Sequence, residues 1–600
     1  LDISAYMDST GLLKWPAPKG NWHICRVCYA STMSTPHPLP DDIIGKSLEV
    51  DKMSYEDNMY HWQQLLEPLK EHLKEYIGDP FTFIWIDSYE AGYQNWTPGF
   101  REEFIRQKGY DPLPSIVAQQ YLAARSELGR FTTAQNEVIN KLIIDNSWKV
   151  AKKMINEAGL KFYWQPYTGP FNTAEAASIP DMAVTEFWTN SASVLHHRDA
   201  IVEASRESGK TIVGVEAFTG RPEVSQYTED PAFLKYFADK GFVSGGNMYF
   251  LNHWVHQPFD DKYQPGMSFG WWGTHFGRHQ TWFKPGKAFI TYLARCQMLL
   301  QQGVFVGFED SNILHRSTSE AEIYFITNLS DSVLAKTFSF AVSDRTPELW
   351  DAYEGTIRQT PNWKVKENST LVDLKLEAEK SIFVIFPKDK KSAYAALRLP
   401  FTKPRHETYT NIDGEWNILF QPKLEQSFSK VFPALIDFSR HADTAIKYFA
   451  GTASYEKEIR IDAKDIGKNK QILLDLGSLH DIAELEINGE NAGVLWHPPY
   501  IKDITHWLKP GENRLTVHVS VNWANRLIGD EQYPSDFEWG TDRGLELGRA
   551  MKSFPDWFVN NQPRPSQGRK TFNIWYYHRK ESPLQPAGLL GPVRLVKIKN

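Results

Sequence analysis

The chain has 600 residues, 42% apolar and 23% charged, with a formal net charge of -7 at pH 7. That length exceeds what one hydrophobic core organises and predicts roughly two to four domains. The composition is that of a globular chain without an apolar run near the roughly 20 residues that span a bilayer, and the mild charge without a basic stripe excludes the footprint of a nucleic-acid binder.

Aromatic residues make up 14% of the chain, with 21 Trp, 26 Tyr and 35 Phe. Rings in this number suit stacking on the apolar faces of sugars, and equally suit an aromatic-rich core. The only cysteines, Cys25, Cys28 and Cys296, exclude a disulfide framework. Residues 22–29 read as a strand, on which Cys25 and Cys28 point to opposite faces and make no redox or zinc pair. Residues 1–45 as a whole read as a β-rich, turn-rich segment. The sequence opens on Leu1 with neither a charged n-region nor an apolar h-region, which predicts a processed chain or a fragment.

From residue 46 the pattern alternates. Trp62, Leu65, Leu66, Leu69 and Leu73 recur at helical spacing, and an apolar run over residues 81–86 follows a Gly-Asp-Pro turn. A helix over 136–158 precedes a strand over 160–164; a strand at 182–184 precedes a helix at 198–208. Strands at 211–215 and 247–251, a helix over 287–302 and a short strand at 304–306 complete the series. Alternating buried strands and amphipathic helices predict a (β/α)8-type barrel over residues 46–311, with six strands countable; the other two either lie within the first 50 residues or are missing from this chain, and the β-rich, turn-rich pattern of that stretch favours the second.

Beyond residue 312 short strands follow one another without helices, which predicts a β-sandwich over 312–404. A Lys-rich, Pro-flanked stretch at 388–404 reads as a linker, and residues 405–600 are again all-β. Asn488-Gly489 between two alternating segments predicts a hairpin turn. The predicted fold class is therefore multidomain, α/β followed by all-β modules.

In a barrel the reacting groups belong at the C-terminal ends of the strands. Three strand ends carry acids with aromatic neighbours: Asp87-Ser88-Tyr89-Glu90, Glu186-Phe187-Trp188 and Glu216-Ala217-Phe218. Glycosidic cleavage needs one carboxylic acid and one carboxylate, which such a rim supplies. A single strand-end acid also caps the following helix, so each of the three alone has a structural explanation. His253 and His256 match no zinc spacing and suit hydrogen bonding to a substrate or a structural role. No Walker loop, dinucleotide-binding fingerprint or G-x-S-x-G elbow is present.

Asp87-Ser88-Tyr89-Glu90, Gln94-Asn95-Trp96-Thr97-Pro98-Gly99-Phe100, Arg106-Gln107-Lys108-Gly109-Tyr110-Asp111, Glu186-Phe187-Trp188, Glu216-Ala217-Phe218-Thr219, His253 to Pro258 and Tyr292 to Gln297 together resemble glycoside hydrolase family 106, whose activity is α-L-rhamnosidase. The C-terminal part, with Ile487-Asn488-Gly489 and Trp523-Ala524-Asn525-Arg526, is similar to the galactose-binding-like jelly roll of such enzymes. The resemblance implies an inverting hydrolase for terminal α-L-rhamnose, secreted or periplasmic, with a calcium ion near the sugar hydroxyls. It places the general acid on Glu90, the general base on Glu186 and a metal or substrate ligand on Glu216, the last two being exchangeable. Asp87, Asn95, Trp96, Trp188, His253, His256 and Trp272 are the expected substrate contacts. Two other readings stay open: a carbohydrate-binding protein derived from such an enzyme, and a glycosidase for another sugar.

Overall fold

A computed structural model describes the chain except residues 37–46, 122–125, 191–194, 344, 361, 389–397, 400–405, 468–469, 545–547 and 600. It divides into two compact units, residues 1–162 with 167–179, and residues 163–166 with 180–600.

The first unit begins with irregular backbone, interrupted by one helical turn at Ser4–Tyr6 and a bridge between Met7 and Leu13. Among the described residues 1–36 the expected β-rich character is corrected accordingly, and residues 22–29 form no strand. Their apolar side chains face outward, with Ile24, Val27 and Tyr29 exposed by 58%, 41% and 62%, so no buried face fixes a register there. The helix Tyr55–Leu73 starts where the Ser54 hydroxyl accepts the Asp57 amide, and it buries the stripe Asn58, Trp62 and Leu66. Strand β1 (Phe83–Ile86) follows, then the helices Phe100–Lys108, Leu113–Tyr121, Ser126–Ile143 and Lys149–Glu157. The Lys161 amide donates to Thr82 O at 2.8 Å and seats the start of β2 (Lys161–Trp164) beside β1.

In the second unit the end of β2, then β3 (Met182–Trp188), β4 (Gly214–Thr219) and β5 (Met248–Leu251) run parallel in that order. Their connections carry the helices Arg198–Glu207 and Pro231–Val243, the latter capped by Asp230 with Pro231 in its first turn. Phe187 of β3 meets Phe218 of β4 and Tyr249 of β5, and Phe242 of the helix Pro231–Val243 stacks on Tyr249 at 4.2 Å. A Cβ on Gly241 would come within 2.5 Å of the Tyr249 hydroxyl, so the bare glycine is what lets this helix lie close on the sheet.

The strand expected at 304–306 does form, as Val304–Asp310, but it pairs antiparallel with Ile313–Ser317 and is the edge of a seven-stranded sheet. It is a sandwich strand and not a sixth barrel strand. A short apolar run after a helix reads alike in both settings, and only its partner decides. A three-stranded sheet built on Ser369–Leu376 packs on this sheet around Tyr324, Phe340, Val372, Val384 and Phe386. The stretch read as a linker, 388–404, lies mostly outside the described residues.

The C-terminal module is a sandwich of a four-stranded and a six-stranded antiparallel sheet closed over Trp416, Phe420, Tyr455, Leu474, Leu485 and Val517. Ile482–Ile487 pairs with Glu490–Leu495 through Asn488 and Gly489, whose φ values of 55° and 88° are those of the expected tight hairpin turn.

Lys235 on the helix Pro231–Val243 pairs with Asp239 at 2.5 Å, with side chains only 1% and 2% exposed. The Lys235 ammonium also donates to Glu379 O at 2.8 Å, and Tyr292 donates to Asp239. Truncating one member of such a buried pair strands the other charge. Asp239→Ala is therefore expected to cost about 3–5 kcal/mol, and the apolar pair Lys235→Met with Asp239→Leu to recover most of it. Denaturant unfolding of both variants checks this, and an unchanged midpoint for Asp239→Ala contradicts it.

Candidate active site

Alternation along β3 turns Phe187 toward the helix layer, so Glu186 and Trp188 project from the opposite face. Glu186 is the register partner of Glu216, and Trp188 of Thr219, across a local irregularity in the pairing. Two carboxylates thus leave neighbouring strands on the same face, their backbones about 4.8 Å apart. Both lie inside strands that run further than the apolar runs suggest.

The two carboxylates are held differently. The carboxylate of Glu186 accepts from His196 Nδ1 at 2.8 Å, while the His196 amide donates to Glu186 O at 2.9 Å. That hydrogen bond to Glu186 holds the His196 imidazolium above the usual histidine range, against the opposing effect of burial. Glu216 is fixed by neutral donors. Gln165 Nε2 reaches Oε2 at 2.9 Å, and the Thr219 hydroxyl and Asn252 Nδ2 reach Oε1 at 2.5 and 3.1 Å.

Aromatic groups border this pair. Trp188 and Trp272 meet edge to face at 5.9 Å, and the Arg221 guanidinium lies over the Trp188 ring at 4.9 Å. Among the described residues the Trp188 indole N–H is buried and makes no hydrogen bond. Trp272 O accepts from Asn252 Nδ2 at 2.8 Å. His253, the next residue, is 7% exposed and packs edge-on against His275 at 4.7 Å. Burial pushes its pKa down to about 4 and that of His275 well below the ordinary value, so both rings are neutral near pH 7. His256 is exposed.

The remaining expected residues belong to the first unit. Asp87 and Glu90 are exposed; Asp87 accepts the Ser88 amide at 2.7 Å and the Ser88 hydroxyl donates to Glu90 at 3.3 Å. Asn95 is exposed and Trp96 is half-buried against Phe100 at 4.7 Å. The loop is tied by Asp51, which accepts from Gln94 and, at 2.7 Å, from the Thr97 hydroxyl. A cavity of about 190 Å³ lies beside it, lined by Asp51, Lys52, Tyr89, Gln94, Trp96 and Thr97 among others.

Calcium binds about six to eight oxygen ligands. The amide nitrogens of Gln165 and Asn252 point at Glu216 instead, and Asn252 is locked in that orientation by Trp272 O. Among the described residues no three His, Cys, Asp or Glu side chains are grouped to hold a metal ion. In this arrangement Glu216 does not fit the metal-ligand role.

His196, Gln165, Thr219, Asn252 and Arg221 escape the sequence reading. Gln165 and Asn252 directly follow β2 and β5, the same strand-end position that singles out the acids, so weighing neutral amides there would have found them. His196 lies beyond Glu186 on a long connection and carries no spacing signal.

The family model of glycoside hydrolase family 106, described as alpha-L-rhamnosidase, matches residues 1–310 and 308–364. A relative from Formosa agariphila named "Putative beta-glucuronidase" is 23% identical, the alignment covering 99% of this chain and 81% of that protein. The solved structure of a rhamnosidase from Novosphingobium sp. PP1Y superposes with a TM-score of 0.77 and 20% identity, covering 100% of this chain and 69% of the other. That likeness is one of fold.

Because His196 binds its proton more tightly in the folded chain, the ionic part of its hold on Glu186 is complete below about pH 6.5 and is lost as pH rises through the raised pKa. A proton NMR titration of the His196 ring is expected to show a midpoint above that of a free histidine, returning toward it in Glu186→Gln. Equal midpoints in the two proteins contradict the pairing.

Proposed function

Since the chain belongs to glycoside hydrolase family 106, we propose that it removes terminal α-L-rhamnose from a polysaccharide or glycoconjugate with inversion at the anomeric carbon. The observation that supports this reading is the pair Glu186 and Glu216 on one sheet face, bordered by Trp188 and Trp272. A glycoside hydrolase acts on carbohydrate, and among the described residues no helix is long and apolar enough to cross a membrane.

In the proposed reaction Glu186 is the general base. His196 keeps its carboxylate in one rotamer, and the carboxylate takes a proton from the water that attacks the anomeric carbon. Glu90 is the general acid, a role that rests on the resemblance of its Asp87-Ser88-Tyr89-Glu90 motif, and it protonates the departing glycosidic oxygen. Glu216 is a sugar ligand. Its oxygens are aligned by three donors and remain able to accept from a sugar hydroxyl, while the buried Trp188 N–H offers a donor. The exchange of roles between Glu186 and Glu216 is the alternative, in which the larger loss of rate falls on Glu216→Gln and not on Glu186→Gln.

A second reading keeps the chemistry and changes the sugar. It is favoured by the name of the Formosa agariphila relative, a putative β-glucuronidase, because pocket shape and not the acid pair selects the monosaccharide.

Release of rhamnose from an aryl α-L-rhamnoside tests the proposal. The wild type is expected to cleave it and to release β-L-rhamnose first by NMR. Loss of a general acid or base costs about 10²–10⁴ in rate, so Glu90→Gln and Glu186→Gln should each fall by that factor. Cleavage of an aryl β-D-glucuronide in place of the rhamnoside moves the assignment to the second reading. Turnover of neither by folded protein overturns the rhamnosidase assignment.

A further inference from the structure

Glu229 is a carboxylate without a part in the reaction above, yet it is 2% exposed and sits one step behind the site. Its Oε2 accepts the Thr228 amide at 3.0 Å and its Oε1 accepts the Thr274 hydroxyl at 3.3 Å. Its backbone oxygen accepts the Trp282 indole N–H at 3.1 Å. Burial raises its pKa to about 7. Keeping an ionisable group in such a place costs free energy that an apolar side chain would not.

Thr274, which Glu229 holds, brackets the turn that aims Asn252. The Thr274 amide donates to Asn252 O at 3.0 Å, and the His253 amide donates to Thr274 O at 2.8 Å. The two backbones press together at this point, since a Cβ on Gly273 would lie 2.6 Å from Asn252 O. Asn252 Nδ2 then reaches Glu216 Oε1 at 3.1 Å, Thr219 Oγ1 at 3.0 Å and Trp272 O at 2.8 Å.

We infer that Glu229, acting through Thr274 and Asn252, is a positioning residue that fixes the carboxylate of Glu216. This rests on the reading of Glu216 as a site carboxylate. The path is continuous: Glu229 anchors the Thr274 hydroxyl, the Thr274 backbone anchors the Asn252 peptide, and the Asn252 amide sets one oxygen of Glu216. Residues coupled through a shared path are non-additive on mutation, which separates a positioning role from a merely structural one.

The experiment measures kcat and KM for the glycoside that the wild type cleaves and determines the crystal structure of Thr274→Val. Thr274→Val and Glu229→Gln are both expected to lower kcat about 5–30-fold with KM little changed, as for an interaction realised in the transition state. Glu229→Gln keeps the shape but has one acceptor oxygen for two donors, so it remains informative if Thr274→Val folds poorly. Thr274→Ser should restore kcat. In an Asn252→Ala background neither substitution should lower kcat further. In the Thr274→Val crystal the Glu216 carboxylate should leave its contact with Asn252, a readout independent of turnover. An unmoved Glu216, unchanged kcat, or losses that multiply with that of Asn252→Ala overturn the inference. If Glu216→Gln has wild-type kcat, the reading of Glu216 fails and the inference falls with it; if Glu216→Gln is impaired while the losses multiply, the inference alone fails.

Discussion

The register between β3 and β4 is the constraint on which the site depends. Pairing Glu186 with Glu216 sends both carboxylates to one face of the sheet, and a slip by one residue would send one of them into the helix layer. That register is enforced from the other side. Phe187 and Tyr249 meet there beneath the helix Pro231–Val243, and Phe218, at the pairing irregularity after Glu216 with a φ of 72°, packs against both. Apolar packing on the covered face thus fixes polar chemistry on the open one.

Fixing the backbone does not orient a carboxylate, and the second unit spends polar side chains on that task. His196 gives Glu186 an imidazole partner whose protonation that contact favours, while Gln165, Thr219 and Asn252 give Glu216 neutral donors. Two chemically identical side chains on adjacent strands are thereby made inequivalent, which a reaction needing distinct roles requires. The amide of Asn252 is the hinge of this arrangement, because it touches Glu216, Thr219 and the backbone beside Trp272 together.

Much of this was legible in the sequence. Buried apolar runs between amphipathic helices marked β1 to β5, and the acids at their ends marked Glu186 and Glu216, although both strands extend past them. The turn at Asn488-Gly489 was legible because few residues adopt positive φ at two successive positions. The strand Val304–Asp310 was legible as a strand and misread as a barrel strand, because pairing is a long-range property that a local pattern does not encode. Residues 22–29 failed for the opposite reason: the pattern is present and nothing buries it. His196 was invisible because its contact with Glu186 is made in the folded chain and no spacing announces it. Glu216 was read as a metal or substrate ligand from the family likeness, and the donors around it were not foreseeable from spacing.

The central claim is that the face carrying Glu186 and Glu216 receives the sugar. A crystal structure of Glu186→Gln soaked with an α-L-rhamnosyl disaccharide tests it most directly. The account predicts the terminal sugar against Trp188 or Trp272, with a hydroxyl on Glu216 and the side chain at position 186 within reach of a water about 3–3.5 Å from the anomeric carbon. A sugar bound elsewhere, with neither position 186 nor Glu216 facing any of its atoms, contradicts it.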